Sequence, residues 1–304
     1  MQYFVLWGVS LFHYQGEEIT LLLTSKCNTK CKHCYISYSG NFEPDVAREI
    51  IEIQQGRGFR VDLNGAEILT NLEYLPLFKL TGADTIMSNG LILYNDEDIY
   101  RLLQKNGIRN VELSYHFFIH DTISKVPTYV VESVIEELRM RDFNVVLNTV
   151  ITSQNYKQLP EMCEASVNLG VSKIRFNNFL LQGKALKNRF KSFVLSNNQI
   201  LEFFDLLYNL RAQYDEKVLY IDRSGLFDCD CGAERKNNFF CPAIREDLTI
   251  TPDFKIYPCF YLAGMDEHQI GIYDNHEIIL FEDKLAKYSN DHCFARTILN
   301  KDFI

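Results

Sequence analysis

The 304-residue sequence has no long hydrophobic run and no block of basic residues. Its longest apolar stretch near the N-terminus, Phe4 to Phe12, is interrupted by Gly8 and Ser10, and a membrane span needs roughly 20 residues. No basic segment precedes that stretch, so neither a secretory signal nor a membrane partner is expected, and a cytoplasmic protein is. Lysine and arginine number 31 against 40 aspartates and glutamates, a formal net charge of −9. Phosphate neutralisation needs clustered cations, so nucleic acid is not an expected partner. With 15 glycines and seven prolines, 47% hydrophobic and 23% charged residues, collagen-like, low-complexity and disordered readings drop out. The length suffices for a full core in one large domain, or in one domain with an appendage.

A disulfide framework is missing as well. The nine cysteines, at 27, 31, 34, 163, 229, 231, 241, 259 and 293, are odd in number and unevenly spaced. In a reducing compartment such a pattern points to metal ligation or catalysis. Cys27, Cys31 and Cys34 can converge only if their segment curls into a loop. Three thiolates without an obvious local fourth ligand suit an iron–sulfur cluster with one iron left open. Zinc with His33 as fourth ligand is the rival, made awkward by the adjacency of His33 and Cys34. Cys163 sits near Met162 and Val167 on an expected helix and reads as core.

Glu18 to Thr24 reads as a strand, and the cysteine loop follows it directly. A helix is expected after Pro44, with Val46, Ile50, Ile51 and Ile53 on one side, and a second strand over Phe59–Leu63. Further strands are expected at Asp84–Met87, Val111–Ser114, Asn144–Ile151 and Ser172–Phe176. Helices are expected at about Glu97–Lys105, Tyr129–Arg141 and Tyr156–Leu169. Six such units imply an α/β fold on a parallel sheet with right-handed crossovers, its functional groups at the carboxyl ends of the strands. Beyond them, Ser196 is expected to cap a helix running to about Gln213. A short strand over Val218–Ile221 follows, then a hairpin turning at Pro252-Asp253 and ending at Cys259.

The spacing Cx3Cx2C followed by an aromatic, Tyr35, resembles the cluster loop of the radical S-adenosylmethionine enzymes. The resemblance implies an open (β/α)6 partial barrel over residues 18–190, with residues 1–17 as an extension and 191–225 as a bridging helix and strand. It implies a [4Fe–4S] cluster on Cys27, Cys31 and Cys34 whose open iron chelates S-adenosylmethionine. Asn64-Gly65-Ala66-Glu67 ends the second strand where the family often has Gly-Gly-Glu, which receives the amino group of S-adenosylmethionine; Ala66 replaces the middle glycine. Ser88-Asn89-Gly90 is similar to the family's Thr-Asn-Gly. Ser114, Asn148 and Arg175, at later strand ends, are the implied contacts to carboxylate and ribose. His116, His120 and Asp121 remain open between a substrate-facing role and solvated loop.

Residues 226–304 resemble the auxiliary-cluster extension called SPASM, or its shorter Twitch form. Cys241 and Cys259 match its positions about the hairpin, and Cys293 is the implied third ligand, with Cys231 or Cys229 as the fourth. Phe254 stands where the turn glycine belongs, so a turn of another type is one expectation. The resemblance implies an enzyme that cleaves S-adenosylmethionine reductively, fed by a one-electron reductant such as flavodoxin or ferredoxin, and removes a hydrogen atom from its substrate. A ribosomally made peptide is the favoured substrate, modified by a cross-link, thioether or epimerisation. An aminocyclitol or sugar-type molecule, oxidised or epimerised, is the alternative. A non-catalytic iron–sulfur or zinc protein is the alternative of another class.

Overall fold

The computed structural model describes residues 16–223, 243–244, 247–285 and 288. Cys229, Cys231, Cys241 and Cys293, and with them most of the expected auxiliary-cluster ligands, lie outside the described residues.

The chain begins with β1 (Glu18–Leu22), α1 (Pro44–Gly56) and β2 (Arg60–Asn64). Pro44 opens α1, and Ala47, Ile50, Ile51 and Gln54 form its buried side. Then come α2 (Leu75–Thr81), β3 (Thr85–Ser88), α3 (Glu97–Lys105), β4 (Asn110–Ser114), α4 (His120–Ile123), α5 (Thr128–Met140), β5 (Asn144–Ile151), α6 (Leu159–Asn168) and β6 (Lys173–Asn178). The chain continues through α7 (Gly183–Lys187), α8 (Asn197–Gln213) and β7 (Tyr220–Arg223). Ser196 and Gln199 form a reciprocal capping box at the start of α8, which satisfies two otherwise orphaned amides.

The strands fall into two sheets. One is parallel throughout, in the order β3-β4-β5-β6-β7. Its two faces differ in chemistry. Val111, Leu113, Leu147, Ile151, Ile174 and Phe176 are fully buried and share one core with the inner sides of α3, α5, α6 and α8. Each such apolar side chain contributes about 1.5–3 kcal/mol by leaving water. The register puts Met87, Glu112, Ser114, Asn148, Arg175 and Asp222 on the other face, because side chains alternate along a strand.

The second sheet has the order β11-β10-β9-β8-β1-β2, with β8 (Asp247–Ile250), β9 (Lys255–Tyr257), β10 (Gly271–Asp274) and β11 (Glu277–Leu280). A last short helix, α9, spans Glu282–Leu285. The expected hairpin is therefore real, but it does not stand apart: β8 pairs in parallel with β1, from Glu18 opposite Asp247 to Leu21 opposite Ile250. Leu248, Ile250, Ile256 and Leu280 join the core of Ile19 and Leu21. The β10–β11 hairpin was not expected from the sequence. Its two turn residues, Asn275 and His276, both have positive φ, as the favoured two-residue turn requires, but lack its usual glycine. Gln54 Nε2 donates to the His276 carbonyl at 3.0 Å, and Arg57 ion-pairs with Glu277 at 2.6 Å, fixing that turn against α1.

Among the described residues no ladder joins β2 to β3. The seam is closed by a carboxylate instead. Glu67, just past β2, accepts hydrogen bonds through one oxygen, Oε2, from the Asn89 amide at 2.8 Å and the Ser88 hydroxyl at 3.2 Å, just past and at the end of β3.

Candidate active site

The cysteine loop is pinched shut at its base. Leu23 O accepts from the Phe42 amide at 2.9 Å, and Thr24 Oγ1 donates to Asn41 Oδ1 at 2.6 Å. The chain after β2 holds it down: the Ala66 and Glu67 amides donate to the Thr24 and Lys26 carbonyls at 2.8 and 3.1 Å. Gly65 is needed there, since a Cβ would lie 3.2 Å from both the side chain and the carbonyl of Thr24.

Two other segments press on the loop. Gly183, at φ +56, lets its backbone approach so closely that a Cβ would sit 2.8 Å from the Cys34 carbonyl oxygen, which also accepts from the Lys184 amide at 2.9 Å. From the C-terminal side, a Cβ on Gly264 would sit 2.3 Å from the Tyr38 nitrogen. The long return of the chain thus supplies two walls for a loop near its start.

The three thiols lie at the rim of this frame, none in a disulfide. The Thr29 hydroxyl is 3.2 Å from the Cys27 sulfur and 3.5 Å from that of Cys31. Burial pushes the Cys34 thiol up, and the nearby Cys31 and Cys27 thiols push it the same way. Asn89 ties the seam to the loop: its Nδ2 donates to Asn28 Oδ1 at 2.8 Å and lies 3.7 Å from the Cys27 sulfur. Glu67, Ser88, Asn89 and Cys27 are thereby brought together. Glu67 is buried, which pushes its carboxyl up to about 7, and its Oε1 has no partner among the described residues.

Ser114, Asn148 and Arg175 stand in one register row across β4, β5 and β6. Their surroundings divide them. Arg175 Nη1 donates to both oxygens of Glu112, at 2.8 and 2.9 Å, and its Nε to Asp222 Oδ2 at 3.0 Å. Much of the planar fork expected to meet a cofactor carboxylate is thus engaged by two carboxylates of the chain itself. Asn148 Oδ1 accepts from Asn177 Nδ2.

His33 does not turn toward the cysteines. Its Nδ1 donates to the Ile123 carbonyl at 3.1 Å, its ring packs edge-on against His116, and burial lowers its pKa to about 4. His116 and His120 are buried, so the reading of these two as solvated loop is not met. Tyr35 packs against Tyr261, with ring centroids 5.4 Å apart, and feels both Cys34 and Cys259. The one described cysteine of the second group, Cys259, therefore lies near enough to Tyr35 to act on it, as Cys34 does. Sequence reasoning passed over Asn28, Thr29, Ser124 and Lys125. The first two were legible as polar residues inside the motif; the last two carry no local signal.

The residues fit an iron–sulfur cluster. Among the described residues no three His, Cys, Asp or Glu side chains converge as a single metal ion requires. Three thiols on one loop, with the Asn89 Nδ2–H turned toward the Cys27 sulfur at 3.7 Å and the Lys125 N–H toward that of Cys31 at 3.4 Å, are a donor set suited to an iron–sulfur cluster. The unpartnered, buried Glu67 Oε1 is a ready acceptor for an ammonium group near Cys27.

No protein-family model matches the chain. It is 29% identical over 184 residues to pre-heme d1 synthase of Dinoroseobacter shibae, covering 55% of this chain and 44% of that protein. It is 22% identical over 318 residues to an uncharacterised protein of Methanocaldococcus jannaschii, covering 94% of this chain and 98% of the other. Among solved structures, Streptococcus suis SuiB bound to its precursor peptide SuiA superposes with a TM-score of 0.66 at 14% identity, over 84% of this chain and 62% of SuiB. The structure of anSMEcpe with bound S-adenosylmethionine superposes with a TM-score of 0.63 at 18% identity, over 95% and 80%. The chain shares the fold of radical S-adenosylmethionine enzymes. It spans less than two thirds of SuiB and less than half of the synthase. Among the described residues no helix is long and apolar enough to cross a membrane.

Proposed function

We propose that the chain is a radical S-adenosylmethionine enzyme that removes a hydrogen atom from a peptide. The observation that carries this is the frame just past β1, β2 and β3: three thiols on one pinched loop, joined through Asn89 to a buried carboxylate with an unpartnered oxygen. Cys27, Cys31 and Cys34 would hold a [4Fe–4S] cluster. When bound, that group supplies the electron that splits S-adenosylmethionine into methionine and a 5′-deoxyadenosyl radical, which takes hydrogen from the substrate. Glu67, with Asn64, Gly65 and Ala66 beside it, would receive the amino group. Ser88 and Asn89 hold Glu67 in place. Ser114 and Asn148 would face the rest of the cofactor, and Tyr35 would wall it.

The peptide is supported by two structures that share the fold and carry peptides, SuiB with SuiA and anSMEcpe with Cp18Cys. A second cluster on Cys259, with Cys241, Cys293 and Cys231 or Cys229, is proposed with it, since Cys259 stands beside Tyr35. Flavodoxin or ferredoxin would deliver the electron. The rival substrate class, a small molecule, has the synthase relative in its favour.

The test is anaerobic reconstitution, followed by counts of iron and sulfide and by assay of 5′-deoxyadenosine with dithionite and S-adenosylmethionine. About eight irons per chain, falling to about four with loss of product in a Cys27/Cys31/Cys34→Ala triple variant, is the expected result. Zinc in place of iron, or a fully loaded cluster that yields no 5′-deoxyadenosine even with candidate substrates, would sink the reading.

A further inference from the structure

Resting on the reading of Cys27, Cys31 and Cys34 as cluster ligands, we propose that the loop after β4 tunes that cluster, through hydrogen bonds from the Ser124 hydroxyl and the Lys125 amide to the Cys31 sulfur. The Lys125 N–H lies 3.4 Å from that sulfur and Ser124 Oγ 3.8 Å. The Ser124 oxygen already accepts from the Val126 N–H at 3.1 Å, so its own proton is left for the sulfur. Ser124 is 7% exposed, and water competes little with a donor in such a place.

The loop is built to hold these donors still. Phe117 turns it with φ +48, a conformation bulky residues avoid. His116 and His120 then lock the turn. His116 Nδ1 accepts from the Val150 amide at 3.2 Å. His120 Nδ1 accepts from the His116 amide at 3.1 Å, and its Nε2 donates to the Val126 carbonyl at 2.9 Å. The far end is stapled to the cysteine loop: the Lys32 amide and His33 Nδ1 both donate to the Ile123 carbonyl, at 2.8 and 3.1 Å. Ser124 and Lys125 follow Ile123 directly, so Cys31 faces an edge whose position both loops fix.

Adding an electron to a cluster increases the negative charge on its sulfurs. Donors aimed at a sulfur therefore stabilise the reduced form more than the oxidised one and raise the potential. The loop after β4 is thus a positioning element that makes this cluster easier to reduce.

The experiment is an EPR-monitored redox titration of the reconstituted full chain. The signal followed is the one missing from the Cys27/Cys31/Cys34→Ala variant. Ser124→Ala should load the same iron, yet reduce about tenfold less favourably, a midpoint lower by about 59 mV for one electron. Ser124→Thr, which keeps the hydroxyl, should restore the wild-type midpoint. A fully loaded Ser124→Ala protein with an unmoved midpoint overturns the role of the loop and leaves the cluster assignment standing. A triple variant that loses no signal overturns both. If Ser124→Ala does not fold, pulsed EPR of the reduced wild-type protein in deuterated buffer decides: an exchangeable deuteron coupled to the cluster supports the proposal, and its absence overturns it.

Discussion

Glu67 carries the most consequential chemistry of any single residue in the frame. Burial holds its carboxyl at about 7, against an ordinary value of 4.5. The folded chain therefore keeps a proton that the unfolded chain has lost across that window, and stability falls as pH rises through it. The cofactor-free protein should lose up to about 3 kcal/mol between pH 4.5 and 7 on this account, and Glu67→Gln should remove this part of the dependence while leaving the part carried by Asp247, whose burial likewise raises its carboxyl to about 7. Urea midpoints at the two ends of the window, for both proteins, measure it. Arg175 behaves differently. Its removal strips counter-charge from Glu112, 7% exposed, and from Asp222. Arg175→Ala should cost about 2 kcal/mol, less than a fully buried pair because Arg175 keeps some solvent contact. Adding Glu112→Gln should recover part of the loss, which the same denaturation series would show. The sequence marked Arg175 as a strand-end cation. Its partners come from strands 63 and 47 residues away, and no local pattern announces them.

Elements whose cause is local were the ones legible in advance. The helix opened by Pro44, the helix capped by Ser196 and the strands of the six repeating units owe their ends to prolines, caps and periodicity within a few residues. Helix α2 and the β10–β11 hairpin escaped notice, the hairpin because its turn lacks glycine. Phe254 shows the same conflict the other way round. It holds φ +60 where a glycine was expected, so the turn keeps its positive-φ geometry. Its ring packs edge-on to Phe42, centroids 5.6 Å apart, and stacks on Tyr273 at 6.4 Å. Phe254→Ala keeps the strained backbone and loses the packing, whereas Phe254→Gly loses the packing and relieves the strain. The alanine variant should be the less stable of the two by about 1 kcal/mol, and thermal or urea unfolding of the pair settles it.

At the scale of the whole molecule, the order of the parallel units could be read from the sequence, but the pairing of β8 with β1 in the second sheet could not, because strand pairing across more than 200 residues leaves no periodic trace. It has a mechanical consequence. Leu248 is fully buried in the core that also holds Ile19 and Leu21. Leu248→Ala should cost about 2–5 kcal/mol and lower one cooperative transition, rather than release a separate C-terminal one. Circular dichroism and limited proteolysis along the same urea series would register the difference.

The position of Gly264 bears on the order of events in the cell. Its backbone forms one wall of a cysteine loop that the ribosome makes more than 200 residues earlier. Until that glycine emerges, the loop lacks a side and β1 lacks its neighbour β8, so the thiols wait in an unfinished cradle. Closing so long a loop carries an entropic cost that grows only slowly with its length, but it can be met only once the chain has reached that point. The wall around these thiols is thereby completed only after residue 264 has been made, and a chain cut before it would present the three cysteines without that side.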